Sequence, residues 1–203
     1  MGRPPLPEDD NLKAQLVEVA ARILDEEGSG ALTMRHLADV AGTTTTPVYS
    51  RFGSKNGILD HLFIRGFRLL VARLVAVADS DDPIADLVAA GHVYWRFAIE
   101  NPALYTLMFE GGASEHQPSA EAYTEAFAAL DQLARRVERA IAAGIMPPQP
   151  IHAAATMIWA AGHGVVTLSA RNPLPSLAAR DELFVATLTA LLRGMCDTRP
   201  DGP

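Results

Sequence analysis

The chain has 203 residues, 49% of them apolar, and a formal net charge of −7 from 17 basic and 24 acidic side chains. That length gives one large domain or a small one joined to a larger, with ample apolar material for a core. A globally acidic chain repels phosphate, so any nucleic-acid site has to be local. The single cysteine, Cys196, excludes an internal disulfide and suits a reducing cytoplasm. The opening MGRPPLPEDD lacks the apolar run of a secretory signal, so none is expected.

Taken in chain order, the sequence reads as all helix. Leu12, Leu16, Val19, Ile23 and Leu24 keep helical spacing, and Gly28 is a plausible stop. Thr33 can cap a two-turn helix, MRHLADV, with Leu37 and Val40 inward and Gly42 after it. Ser54 can cap a long helix through Ile58, Leu62, Leu69 and Leu74. Asp82-Pro83 and Asn101-Pro102 each place a capping side chain before a proline at the first helical position. EGGASEHQPS reads as a loop. One helix then runs up to Gly144, another follows the prolines of GIMPPQP, and a last one spans about Ser176 to Leu192. No alternating run bounded by turns suggests a strand.

The stretch AGTTTTPVYSRFGSK, from Ala41 to Lys55, organises the N-terminal part. Thr44 can cap a third helix, and Pro47 then falls at about the third position of its first turn, where a missing N–H breaks no intrahelical bond. Thr45 and Thr46 project from the N-terminal end of that helix. Three helices within roughly residues 10 to 52, the second short and the third opened by threonines, have the geometry of a helix-turn-helix. Residues 29 to 60 hold three cations against two carboxylates, a net charge of +1, which leaves −8 on the rest. Binding to DNA is therefore modest per monomer, and two copies are needed.

From Ala140 to Ala170 there is no Asp, Glu, Lys or Arg. A spanning helix needs about twenty mostly apolar residues, but this stretch is broken by GIMPPQP and carries His152, Thr156, His163, Thr167 and Ser169. The expectation is a helix buried between its own core and a partner chain, with no membrane involved.

LTMRHLADVAGTTTTPVYSRFGSKNGILDHLF resembles the DNA-binding region of the TetR family of bacterial regulators, through the Thr-opened helix, the Ala-Gly turn, a Tyr and Phe three apart, then Lys55 and Leu59. The family's recognition helix often carries Leu and His where this chain has Val48 and Arg51; valine keeps the packing role, and arginine keeps a donor and adds charge. YWRFAIENPALYTLMFEGG and WAAGHG, Trp159 to Gly164, resemble the C-terminal domain of a subgroup with a Trp-His-Gly signature. The resemblance implies an all-α protein with a helix-turn-helix DNA-binding domain over 1–53 and a larger helical ligand-binding and dimerisation domain over 54–203. It implies phosphate contacts at Thr33, Tyr49 and Lys55, all of which donate hydrogen bonds, and base-facing positions at Arg35, Thr45, Thr46 and Pro47. Of these, Arg35 alone reads guanine bidentately, while the threonine methyls suit thymine. Thr44, as the cap, and Arg51 complete the set.

The resemblance also implies a cytoplasmic dimer on a palindromic operator, a repressor released by a small-molecule effector. The uncharged helix and the last helix are where the two copies pair. His92, Trp95, Tyr105, Met108, Tyr123, Phe127, Trp159 and His163 are the ligand candidates, drawn from a wider aromatic set with polar tips that also holds Tyr94; the competing reading is ordinary core. The other class kept open is a helical metal-binding or small-molecule-binding protein without DNA function, because His152 and His163 share a helical face. No Glu precedes a His at the three-residue spacing of helical metal sites, and no GxSxG or phosphate-loop pattern points to an enzyme. No cofactor is implied.

Overall fold

The computed structural model describes residues 7–110, 116–171 and 176–197. Among them are nine α-helices and no strand: α1 (Pro7–Glu27), α2 (Met34–Val40), α3 (Thr45–Phe52), α4 (Lys55–Val75), α5 (Pro83–Glu100), α6 (Pro102–Phe109), α7 (Ala120–Ala142), α8 (Ile151–Arg171) and α9 (Leu177–Cys196). The chain divides into two compact units. One comprises Met1–Arg68 with Asn101–Glu125, the other Leu69–Glu100 with Ala126–Pro203. Both α4 and α7 are shared between them.

The first unit is built on Leu16, Ala20, Leu32, Leu37, Ala38, Val48, Ile58 and Leu62, all fully buried. Helix α2 starts where Thr33 accepts a hydrogen bond from the His36 amide at 3.1 Å. It ends in a paired-bond motif: the Gly42 amide donates to Asp39 and the Thr43 amide to Ala38, at 3.2 and 2.9 Å. Gly42 sits at φ 67, a left-handed conformation that glycine adopts at little cost. Val40, expected to point inward, is 39% exposed. The inward face is Met34, Leu37 and Ala38, and Val40 lies about 200° round the helix from Ala38. Thr44 takes the cap position of α3 with extended backbone, yet its side chain makes no capping bond. A capping oxygen reaches the second or third amide of the helix, and the third belongs to Pro47, which has no N–H.

Helix α4 begins as expected, with the Gly57 amide donating to the Ser54 hydroxyl at 3.3 Å. Here the backbone folds back so tightly that a β-carbon on Gly57 would run into the Phe52 carbonyl oxygen. Further along, Gly66 lets α4 close on Leu104 and Met108 of α6. Asn101 occupies the cap position of α6 but makes no side-chain capping bond, and its ψ of 57 departs from the extended cap conformation. The first unit is also held by Arg65 on Glu18 and by Arg68 on Glu121 and Glu125 of α7. Residues 116–119 lie outside any helix, while residues 111–115 of the expected loop fall outside the described residues.

The second unit packs α5, α8 and α9 around Leu87, Phe97, Ala155, Phe184 and Leu188. Gly91 and Gly162 bring α5 and α8 close to Phe184 and Leu188 of α9. The expected cap at Asp82 forms, and Ser176, read only as the start of the last helix, caps it as well. Residues Ile151–Ala170 are long and apolar enough to cross a membrane by length and composition alone. One side of this helix supplies Ala154, Ala155, Ile158, Val165 and Val166 to the core, as core helices of that length do.

Two arginines of α7 hold the turn from α4 to α5. Arg136 is buried and donates to the carbonyls of Leu74 and Val77, which closes the exposed end of α4. Burial pushes the Arg136 guanidinium below its ordinary value. Arg139 donates to Asp86 at 2.7 Å and to the Ser80 carbonyl at 2.8 Å. Asp86 is almost fully buried, and its carboxyl is lowered to about 2, first by the Ser80 hydroxyl and amide and then by Arg139, against the opposing effect of burial.

Gly57→Ala should destabilise the chain by about 1–3 kcal/mol, since the obstacle is backbone rather than a movable side chain. Urea unfolding of the purified variant reads this directly. Asp86→Asn should cost about 1–3 kcal/mol near neutral pH, by leaving Arg139 and Ser80 short of an acceptor. The folded carboxyl is depressed, so its contribution is complete above the ordinary 3.8 and fades as pH falls through about 2. The stability gap between wild type and variant should therefore narrow over that acid window, as measured by denaturation across a pH series.

Candidate nucleic-acid interface

Helices α2 and α3 pack on one another across the Gly42 turn. On α3 the inward residues are Val48 and Phe52, and the outward ones are Thr46, Tyr49 and Ser50, with Thr45 and Pro47 half-buried between. Tyr49 is 53% exposed although its ring is large and apolar. An unpacked phenol at the outer face of a short helix is placed for an external acceptor rather than for the core. Thr44 is exposed too, and its side chain makes no capping bond.

Arg35, on α2, has an 88% exposed side chain and lies 4.0 Å from Asp39 one turn along. An exposed pair at that distance contributes little to stability, so the guanidinium is available to a stronger partner. Arg51 behaves differently: its guanidinium folds back on α3 and donates to the Pro47 carbonyl at 3.1 Å and to the Ser50 hydroxyl at 3.3 Å. Lys55 is the first residue of α4, half-buried, where the unsatisfied amides of the helix start add positive potential. His36 bridges from α2 to Glu27 at the end of α1 at 3.0 Å, tying the first helix to the pair. All nine residues expected at a DNA interface lie in the first unit, on or directly before α2, α3 and α4.

The eight ligand candidates divide between the units. In the first, Tyr105 is buried with its ring 4.8 Å from Phe109, Met108 is buried behind Gly66, and Tyr123 is 52% exposed. In the second, Trp95 is buried 5.1 Å from Phe184, His92 stands 3.8 Å from Asp181, and Phe127 is 63% exposed. Trp159 and His163 form a cluster with Tyr94: the indole N–H donates to the Tyr94 hydroxyl at 3.3 Å, which sits 3.2 Å from Nδ1 of His163. Tyr94 belongs to the wider aromatic set but not to the ligand candidates read from the sequence. It adjoins Trp95, and only the roughly 100° step between neighbouring helical residues separates the buried indole from the polar cluster. His152 pairs with Asp131 at 3.3 Å. It lies eleven residues from His163 on α8, about 16 Å along the axis, too far for one metal ion to join them.

Residues 87–191 match the family described as "Tetracyclin repressor-like, C-terminal domain", and residues 16–62 match "Bacterial regulatory proteins, tetR family". The HTH-type transcriptional repressor KstR2 of Mycobacterium tuberculosis is 39% identical over 69 residues, 34% of this chain and 34% of its own. The chain thus aligns with about a third of the length of that curated relative. A solved protein of unknown function from Rhodococcus sp. RHA1 superposes with a TM-score of 0.81 at 26% identity, over 92% of this chain and 96% of its own. The regulator PfmR of Thermus thermophilus gives a TM-score of 0.67 at 22% identity, over 88% and 97%, which speaks to the fold alone.

Proposed function

This chain belongs to the TetR family of bacterial regulatory proteins, and from that premise we propose that it is a ligand-responsive transcriptional regulator, a repressor that binds a palindromic operator as a dimer. One observation supports the reading most: two short helices locked by a glycine turn present an outer face of Thr44, Thr46 and Tyr49 with Thr45 half-buried beside them, and Arg35 and Lys55 on the helices either side. That is a base-reading helix with phosphate donors around it. The proposed division is a DNA-binding segment over 1–53 and an effector-binding and dimerisation segment over 54–203. The protein acts by binding, in the cytoplasm, where its operator is.

Thr33, Tyr49 and Lys55 contact phosphate in this reading, and Arg35, Thr45, Thr46 and Pro47 face bases. Arg51 supports the outer face by bracing α3. The finer kinship, to the Trp-His-Gly subgroup, is supported by Trp159, His163 and Gly164 falling on one helix with the first two engaged by Tyr94. The effector is a small molecule with an apolar or aromatic body. Trp159, His163, Phe127 and His92, all with accessible surface, are its nearest contacts in the second unit, where Trp95 backs them from the core; Tyr123, exposed, and Tyr105 and Met108, buried, are the candidates that belong to the first unit. Two copies pair through α8 and α9. Helix α4, which starts at Lys55 and belongs to both units, is the element through which effector and operator bias one another.

The test is selection of bound duplexes from a random library, followed by titration of single-base variants of the selected site. Lys55→Ala should weaken every duplex about equally and reduce the salt slope by about 1. Arg35→Ala and Thr45→Ala should instead lose about 1–3 kcal/mol at particular positions. Uniform losses for those two would remove them from the base-reading set, and the absence of any selected motif would end the regulator reading. For the effector, Trp159→Ala should reduce the response to a compound found by thermal-shift screening while leaving operator affinity within about threefold of wild type. An unchanged response would place the ligand elsewhere.

A further inference from the structure

The outward side of α9 carries a shallow groove of about 460 Å³, with an acidic end at Asp181 and Glu182, a floor of Val185, Ala186, Thr189 and Ala190, and Arg193 at the other end. Glu182, Ala186, Ala190 and Arg193 are exposed. Residues Ile151–Ala170 of α8 carry no acidic or basic side chain apart from histidines. The charges able to orient a partner on this side of the unit are therefore those of α9. Asp181 is engaged 3.8 Å from His92, and Arg180 is half-buried and engaged. Glu182 and Arg193 remain, and neither forms an ion pair among the described residues.

We propose that α9 pairs antiparallel with α9 of a second copy about a two-fold axis passing close to Thr187, so that Glu182 of each copy meets Arg193 of the other. The proposal rests on the dimeric reading above and adds its register. With the pair centred at Thr187 and Leu188, Glu182 faces Arg193, Val185 faces Ala190, and Ala186 faces Thr189. Six of the seven groove residues thus meet another groove residue, Asp181 being engaged by His92 instead, which is what a two-fold interface demands of a single surface patch. The small side chains at the centre let the helices approach. A parallel pairing would instead set Glu182 on Glu182 and Arg193 on Arg193, so the pattern selects against it as well as for the antiparallel one. The two ion pairs lie about 16 Å apart along the helices, roughly twice the screening length at physiological salt, so each acts independently.

The full-length chain can be tested by sedimentation equilibrium, with helix content by circular dichroism as the folding control; both residues are exposed, so folding is expected to be unchanged. Glu182→Arg and Arg193→Glu should each raise the dimer dissociation constant by about tenfold or more. The double variant Glu182→Arg/Arg193→Glu should return to within about threefold of wild type. An equimolar mixture of the two single variants should form heterodimers in preference to either homodimer. A wild-type chain that is monomeric would defeat the dimeric reading itself. A dimeric wild type with unaffected single variants, or a double variant that fails to recover, would overturn this register while leaving dimerisation by another route in place.

Discussion

Gly42 stands at φ 67 because the chain has to turn from α2 into α3 within a few residues, and the two bonds that close the turn require that conformation. A side chain there would incur about 1 kcal/mol or more of backbone strain. The position matters beyond its own energy. Helices α2 and α3 have only seven and eight residues, well below the length at which a helix persists alone in water. They exist because Leu37, Ala38, Val48 and Phe52 bury together, and the turn sets the angle at which that burial is possible. The next junction works in the same way, with Gly57 set directly against the Phe52 carbonyl. The outer face of α3 is thus aimed by backbone geometry on both sides together with the burial of Val48 and Phe52.

In the second unit the corresponding work falls to side chains. Arg136 enters the interior and finds carbonyls at the end of α4, while Arg139 holds Asp86 and the loop carbonyl of Ser80. A buried guanidinium without acceptors would be strongly destabilising; here Nη2 of Arg136 closes carbonyls that the end of a helix leaves open. The same arrangement fixes where α4 stops, and α4 is the helix that begins at Lys55. Gly144, at φ 70, closes α7 by the same kind of paired amide bonds seen at Gly42.

Much of this was legible in the residues. Thr33, Ser54, Asp82 and Ser176 announce helix starts and all four cap, because the cap is a local bond whose partners lie two or three residues away. The threonine stretch, the Ala-Gly turn and the tyrosine gave the helix-turn-helix, since turn chemistry and helical spacing are also local. What was not legible depends on context. Val40 is apolar but sits off the inward face of a helix too short to bury more than one side. Thr44 and Asn101 occupy cap positions without capping, one because the following proline lacks an amide and the other on a backbone that departs from the extended cap conformation. Arg136 reads as a surface residue until its long-range carbonyl partners are known. Of the aromatic set, neighbours with the same spacing separate into Trp95 in the core and Tyr94 in a polar cluster, a division that only the packed helices reveal.

Replacing Pro47 with an ordinary residue would restore a donor within reach of the Thr44 hydroxyl, and the threonine could then close the start of α3. Such a chain would gain a capped helix, commonly a benefit of about 1 kcal/mol, and would turn inward a hydroxyl that now faces solvent. A capped start to α3 and an exposed, uncommitted Thr44 hydroxyl are therefore alternatives decided by a single ring.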